Sequence, residues 1–268
     1  MKSYVYHSAT ATAHALIEHL IAMMEREPEK TFYFAFSGGS TPSLMFDIWA
    51  NEYKEVTPWM RMRIYWVDER CVPAEDYESN YGTMRRLLLD EVGMPDEYVY
   101  PIYGVNRPEI EAKNYSTLVC RTVPLWGGFP AFDVVLLGAG DDGHTSSIFP
   151  GQEYLLSSFH PYEVSVNPYN GQKTHSHDRL PFCLLRRILF SLLSARIRRM
   201  WSAIFLIPGI PVRQLMWPTM PSVWNCFSML SQWRENVYLD VPLSRMLTME
   251  NNVKQMPPKP ASTRAGTK

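Results

Sequence analysis

Phe132-Asp-Val-Val-Leu-Leu-Gly-Ala-Gly-Asp-Asp-Gly-His-Thr-Ser-Ser-Ile-Phe-Pro150 decides how this chain is read. Its first half is a short apolar run of the length a buried strand needs. It ends in a glycine-rich turn that delivers two carboxylates, Asp141 and Asp142, and one histidine, His144. Open α/β sheets hold their ligands outside the carboxyl ends of their strands, where these side chains fall. A histidine beside carboxylates is suited to work as a general base with its ring oriented by an acid. The blander alternative for the segment alone is a surface loop with an incidental histidine.

Two further segments point the same way. Thr31-Phe-Tyr-Phe-Ala-Phe36 is an aromatic strand running straight into Ser37-Gly-Gly-Ser-Thr-Pro42. Pro42, with Leu44, Met45, Ile48 and Trp49, reads as the first turn and apolar face of a helix. Strand, Gly-Gly turn and helix aim free backbone N–H groups and a positive helix end at a phosphate. Ser40 and Thr41 add hydroxyl donors. The third segment, Arg63-Ile-Tyr-Trp-Val-Asp-Glu-Arg70, predicts a strand ending in Asp68, Glu69 and Arg70. Arg70 is suited to clamp a phosphate bidentately, or to pair with a neighbouring acid. Ser79-Asn80-Tyr81 comes next, and then a helix carrying Met84, Leu87, Leu88 and Leu89.

Together the three segments resemble the 6-phosphogluconolactonase family. The matching stretches are Phe36 to Pro42, Trp66 to Pro73 with Ser79-Asn80, and Leu137 to Gly151. The resemblance covers residues 1–172. It implies an α/β fold: a doubly wound, mostly parallel, Rossmann-like sheet with flanking helices. It also implies hydrolysis of 6-phospho-D-glucono-1,5-lactone to 6-phosphogluconate in the oxidative pentose phosphate pathway. The phosphate is expected on Gly38, Gly39, Ser40 and Thr41, with Arg70 supplying fixed charge. His144 is the expected base, Asp142 holds its tautomer, and Asp68 orients the sugar hydroxyls. A second basic phosphate ligand is implied just after Gln172, where the chain has Lys173 and then leaves the pattern. The reaction asks for no metal and no cofactor. The related glucosamine-6-phosphate deaminases share the fold and the phosphate turn, but a glutamate is expected soon after their histidine. Thr145-Ser-Ser-Ile-Phe-Pro150 contains no acid, which favours the lactonase.

Composition agrees with an enzyme of small molecules. At 268 residues and 46% hydrophobic, the chain is long enough to bury a large core. The N-terminal stretch reads as an amphipathic helix, with Ala13, Leu16, Ile17, Leu20, Ile21 and Met24 on one face, rather than as a signal peptide. Cys71, Cys120, Cys183 and Cys226 are widely spaced, which suits a cytoplasmic protein.

Charge divides the chain. Residues 1–172 carry 12 Lys+Arg and 23 Asp+Glu, net −11, whereas residues 173–268 carry 14 and 4, net +10. The basic part mixes Trp201, Trp217, Trp224 and Trp233 with Arg pairs and prolines, without a clear helical or strand period. Its apolar stretch, Phe182 to Ile207, contains five arginines, too many for a membrane span. It lacks the aromatic–basic patterning of a nucleic-acid module, so neither a nucleic acid nor a membrane is an expected partner. A shifted reading frame accounts for it better. Lys173 to Leu180 can be encoded AAA ACG CAT TCA CAT GAC CGG CTG, and dropping one A gives Lys-Arg-Ile-His-Met-Thr-Gly, which resembles the strand next expected in the family. Further stretches, from Ser194 to Trp201 and from Ile204 to Pro221, open in other frames into family-like helical and Pro-Ala-Ala sequence. The sequence therefore predicts a lactonase-like domain over 1–172, its sheet incomplete beyond that point, and an irregular or disordered basic tail over 173–268. An inactive sugar-phosphate-binding remnant is the rival expectation.

Overall fold

The structure is a computed structural model that describes residues 2–126, 128–138, 144–152, 154–155, 158, 160–177, 188–194 and 201–206. For 2, 3, 5, 175–177, 188–194 and 201–206 the description is of the backbone alone.

In chain order the strands are β1 (Lys2–Tyr6), β2 (Phe32–Phe36), β3 (Met62–Trp66), β4 (Asp68–Arg70), β5 (Val99–Tyr100), β6 (Leu125–Trp126), β7 (Phe129–Pro130), β8 (Val134–Gly138), β9 (Tyr162–Val166), β10 (Lys173–His177), β11 (Ile188–Ser194) and β12 (Trp201–Leu206). The helices are α1 (Ala9–Glu25), α2 (Ser40–Glu52), α3 (Asn80–Met84), α4 (Asp90–Val92) and α5 (Pro108–Thr122). A π-helical turn, Arg85–Leu89, joins α3 to α4. A seven-stranded sheet has the order β1-β12-β11-β8-β2-β3-β5, and a three-stranded sheet the order β4-β10-β9. In the large sheet β11, β8, β2, β3 and β5 run parallel, while β12 is antiparallel to both β11 and β1. This is the mostly parallel α/β architecture that the sequence predicts.

Burial follows the sequence pattern. In α1 the face Ala13, Leu16, Ile17, Leu20, Ile21 and Met24 is buried, and Ser8 caps the helix by accepting from the Ala11 N–H. The aromatic run of β2 is buried at Phe32, Phe34 and Phe36, because a parallel strand is covered on both faces. Phe36 meets α2 edge-on through Phe46 and Trp49. At the amino ends of β2 and β8, Asp133 accepts from the Tyr33 N–H and forms an ion pair with Lys30, closing the open end of the ladder.

One predicted strand proves to be two. The stretch Arg63 to Arg70 bends at Val67, so that β3 stays in the large sheet and β4 leaves for the small one. The Val67 N–H still donates to the Phe36 carbonyl at 2.9 Å, which fixes the bend against the carboxyl end of β2. Helix α5 braces the same place. Tyr115 Oη accepts from the Trp66 N–H at 3.0 Å and donates to the Tyr100 carbonyl at 2.8 Å, serving the backbone where short β5 gives out.

Beyond residue 172, three of the described segments are paired. β10 lies between β4 and β9. β11 extends the parallel sheet beside β8, and β12 links it to β1. The expected irregular tail over 173–268 otherwise lies outside the described residues. Ile-Leu-Phe-Ser-Leu-Leu-Ser and Trp-Ser-Ala-Ile-Phe-Leu are apolar and β-prone between their arginines, and β8 offers an open edge.

Candidate active site

The carboxyl ends of β2, β3 and β8 lie side by side and bring the three sequence motifs together. β2 opens into Ser37 and the Gly38-Gly39 turn, which leads to the N-terminus of α2. Gly39 is the N-cap with φ +109°, a left-handed backbone suited to glycine, and no side chain caps the helix. The amides of the first helical turn lack intrahelical acceptors, and Gly39 and Ser40 are exposed at that end. Gly38 is needed for another reason. A Cβ there would lie 1.8 Å from Asn80 Oδ1 and 2.3 Å from Asn80 Cγ. The turn therefore rests directly on the Asn80 side chain, whose Nδ2 donates to the Asp68 carbonyl at 2.8 Å.

Asp68 is the hub. It is 7% exposed, and its Oδ2 accepts from Ser147 Oγ at 2.6 Å. Burial pushes its carboxyl above the usual range, while the Ser147 hydroxyl, the Arg70 guanidinium and the His144 imidazole favour its charged form. The buried Ser37 hydroxyl leans on the same carboxylate, short of full hydrogen-bond geometry. Arg70 Nε is buried and has no hydrogen-bond partner among the described residues, so one donor of the guanidinium remains to be used. The His144 ring sits against Phe149, with centroids 4.7 Å apart, and Phe149 meets Tyr169 edge-on.

Glu69, next to Asp68, does structural work. It is 1% exposed and gathers four donors: the amides of Arg70, Asn80 and Tyr81 at 2.7–2.8 Å, and Ser79 Oγ at 3.1 Å. It thus holds the N-terminus of α3 against β4 and seats Asn80 under the glycine turn. Burial pushes its carboxyl up to about 7, against those donors. The sequence places Glu69 only as a strand-end acid and gives Ser147 no role. The Ser79 cap, which accepts from the Gly82 N–H, is the legible trace of the Glu69 arrangement, since serine at a helix start is a common signal.

Among the predicted residues, the structure gathers Asp68, Arg70 and His144 around one carboxylate, with Gly38 joined to them through Asn80. Gly39, Ser40 and Thr41 form the adjoining helix end. Lys173 lies at the start of β10, its Nζ 2.7 Å from Glu109 Oε1 at the head of α5. Asp141 and Asp142, with Gly140 and Gly143, lie outside the described residues. No helix among the described residues is long and apolar enough to cross a membrane.

Comparison with known proteins bears on this geometry. Residues 7–184 match the family model described as glucosamine-6-phosphate isomerases/6-phosphogluconolactonase. The chain is similar to the 6-phosphogluconolactonase of Treponema pallidum, 35% identical over 65% of this chain and 71% of that protein. To the enzyme of that name from Haemophilus influenzae it is 40% identical over 45% of this chain and 50% of the relative. The solved structure of the 6-phosphogluconolactonase from Trypanosoma brucei superposes with a TM-score of 0.61 at 25% identity, over 70% of this chain and 80% of that one. The matches thus span between half and four fifths of these relatives.

Proposed function

Because the chain belongs to the glucosamine-6-phosphate isomerase/6-phosphogluconolactonase family, we propose that it hydrolyses 6-phospho-D-glucono-1,5-lactone to 6-phosphogluconate, the lactone step of the oxidative pentose phosphate pathway, in the cytoplasm. The observation that carries this reading is the meeting at Asp68 of three motifs distant in sequence. A lactone carbonyl is electrophilic enough for water once a base is in place. The substrate phosphate lies on the Gly38-Gly39-Ser40-Thr41 turn, where helix amides and the dipole of α2 favour an anion. Arg70 adds a fixed positive charge with a guanidinium N–H still to be used. His144 takes a proton from the attacking water and returns it to the ring oxygen as the C1–O bond breaks. Asp142 is assigned to the imidazole tautomer and Asp68 to the sugar hydroxyls. Lys173, engaged by Glu109, is available to the phosphate only by exchanging that partner.

The test is turnover of freshly generated lactone, read through NADP-linked oxidation of the 6-phosphogluconate formed. The 268-residue chain should exceed spontaneous hydrolysis, and His144→Ala should lower kcat by roughly 10²–10⁴-fold. A rate equal to the spontaneous one, or ammonia release from glucosamine 6-phosphate, would overturn the assignment.

We also propose that 1–172 form the lactonase-like domain and that 173–268 arise from a shifted frame. The family match ends at residue 184, close to where the net charge reverses. A fresh DNA read across codons 165 to 235 decides it: loss of the extra bases supports the proposal, and their persistence removes it.

A further inference from the structure

The four residues after His144 form a tight turn. Thr145 and Ile148 exchange backbone hydrogen bonds, and the two residues between them, Ser146 and Ser147, are left-handed, with φ +53° and +58°. Two consecutive left-handed residues form the kind of turn that ordinarily calls for Asn-Gly. Here both are serine, both are buried, and the strain persists because the surroundings fix it. Thr145 Oγ1 donates to the Gly138 carbonyl at 2.8 Å, tying the turn to the end of β8. On the far side Ser165 Oγ donates to the Ser147 carbonyl and contacts Thr174 Oγ1 at 3.0 Å, tying it to β9 and β10. The conformation aims Ser147 Oγ at Asp68 Oδ2, 79 residues away in sequence.

We infer that Ser147 is a positioning residue: the strained Ser146-Ser147 turn is a clamp that fixes the Asp68 carboxylate relative to His144. This rests on the reading of Asp68 and His144 as the site. The turn starts one residue after His144, so one local conformation sets the base and, through Ser147, the acid opposite it. A relaxed turn would swing the hydroxyl away and leave a buried carboxylate short of a donor. The hydroxyl is needed for its direction, and the left-handed backbone supplies that direction.

Ser147→Gly separates hydroxyl from strain, since glycine accepts φ +58° freely and keeps the turn. Two readouts are compared across wild type, Ser147→Gly, Ser147→Ala and Ser146→Gly. The first is the titration of the Asp68 carboxyl, followed by its ¹³C resonance in the full chain. Other groups acting on that carboxyl are Arg70 in β4, His144 after β8, neighbouring Glu69, and the Ser37 and Asn80 side chains; all remain in each variant. Loss of a donor to the charged form should move the midpoint to higher pH in both Ser147 variants and leave it unmoved in Ser146→Gly. The second is kcat/KM for the lactone, which should fall about tenfold in both Ser147 variants, with its acidic limb displaced to higher pH. Ser146→Gly relieves φ +53° and should show an equal or higher Tm. A wild-type Asp68 titration in Ser147→Gly overturns the clamp even if the chain turns over no lactone. Absent wild-type turnover overturns the lactonase reading, and the titration then judges the clamp by itself.

Discussion

Gly38→Ala tests whether the phosphate turn is built on Asn80. The added methyl would lie 1.8 Å from Asn80 Oδ1, 2.3 Å from Cγ and 3.0 Å from Cβ. Ordinary carbon–oxygen contact needs more than about 3 Å, so Asn80 or the turn must move by more than an ångström. If Asn80 swings away it gives up its 2.8 Å bond to the Asp68 carbonyl in a buried place. Overpacking costs about 1–3 kcal/mol and an unpaired buried carbonyl about 1–3 kcal/mol, so Gly38→Ala should lose about 3 kcal/mol. Asn80→Ala alone loses the same bond but creates no clash, and should cost about 2 kcal/mol. In the double variant the new methyl occupies space that the asparagine vacates. Its loss should therefore be close to that of Asn80→Ala, a favourable coupling of about 2–3 kcal/mol. Urea unfolding followed by tryptophan fluorescence gives the four corners of the cycle, and 6-phosphogluconate titration reports the turn's geometry. Additive losses, within about 0.5 kcal/mol, would refute the contact as the reason for glycine. Gly39→Ala is the contrasting case. No described residue lies within 4 Å of a Cβ there, so its cost comes from φ +109° and no neighbouring deletion should rescue it.

The raised carboxyl of Glu69 sets a pH dependence. Folded, it keeps its proton to about 7, whereas the unfolded chain releases it near 4.5, so this group's contribution is full below 4.5 and is lost as pH rises toward 7. Glu69→Gln should flatten that part of the stability-against-pH curve, and unchanged curvature would argue against the assignment. Tyr115→Phe removes the hydroxyl that both accepts from Trp66 and donates to Tyr100, so thermal unfolding should show a loss of about 2–3 kcal/mol, with little change if water substitutes. Ser8→Ala removes the α1 cap and should cost about 1 kcal/mol in urea unfolding without altering turnover; a change in KM would place α1 nearer the site than the structure does.

Much of the site is legible in the sequence because its parts are local. The β2 run, the Gly-Gly turn and the start of α2 are contiguous, and a strand ending in a glycine turn sets the next residues at the sheet's carboxyl edge. His144 and Arg70 can be read this way. Glu69 cannot, because three of its four donors are backbone amides, those of Asn80 and Tyr81 more than ten residues away, and amides leave no mark in a sequence. Ser147 escapes for a related reason: its hydroxyl matters through φ +58°, a conformation serine does not advertise. The bend at Val67 is hidden because Arg63 to Arg70 keeps strand-like composition across it. The pairing of β11 and β12 is obscured because charge and proline dominate 173–268, while two short apolar runs within it meet the needs of an open sheet edge.

The position of β1 bears on how the chain comes off the ribosome. Its only ladder partner among the described strands is β12, so Lys2 to Tyr6 align with Phe205 to Trp201. Among the described strands, this segment has no neighbour in the sheet until nearly two hundred further residues have been made. At ordinary translation rates that is roughly ten seconds or more. During that interval the edge of a strand waits without its partner while the β2–β3–β8 centre can already assemble. Pairing of β1 is thus a late, long-range event, of the kind that slows folding. Anything that delays or rewrites the chain near residue 200 is felt at β1.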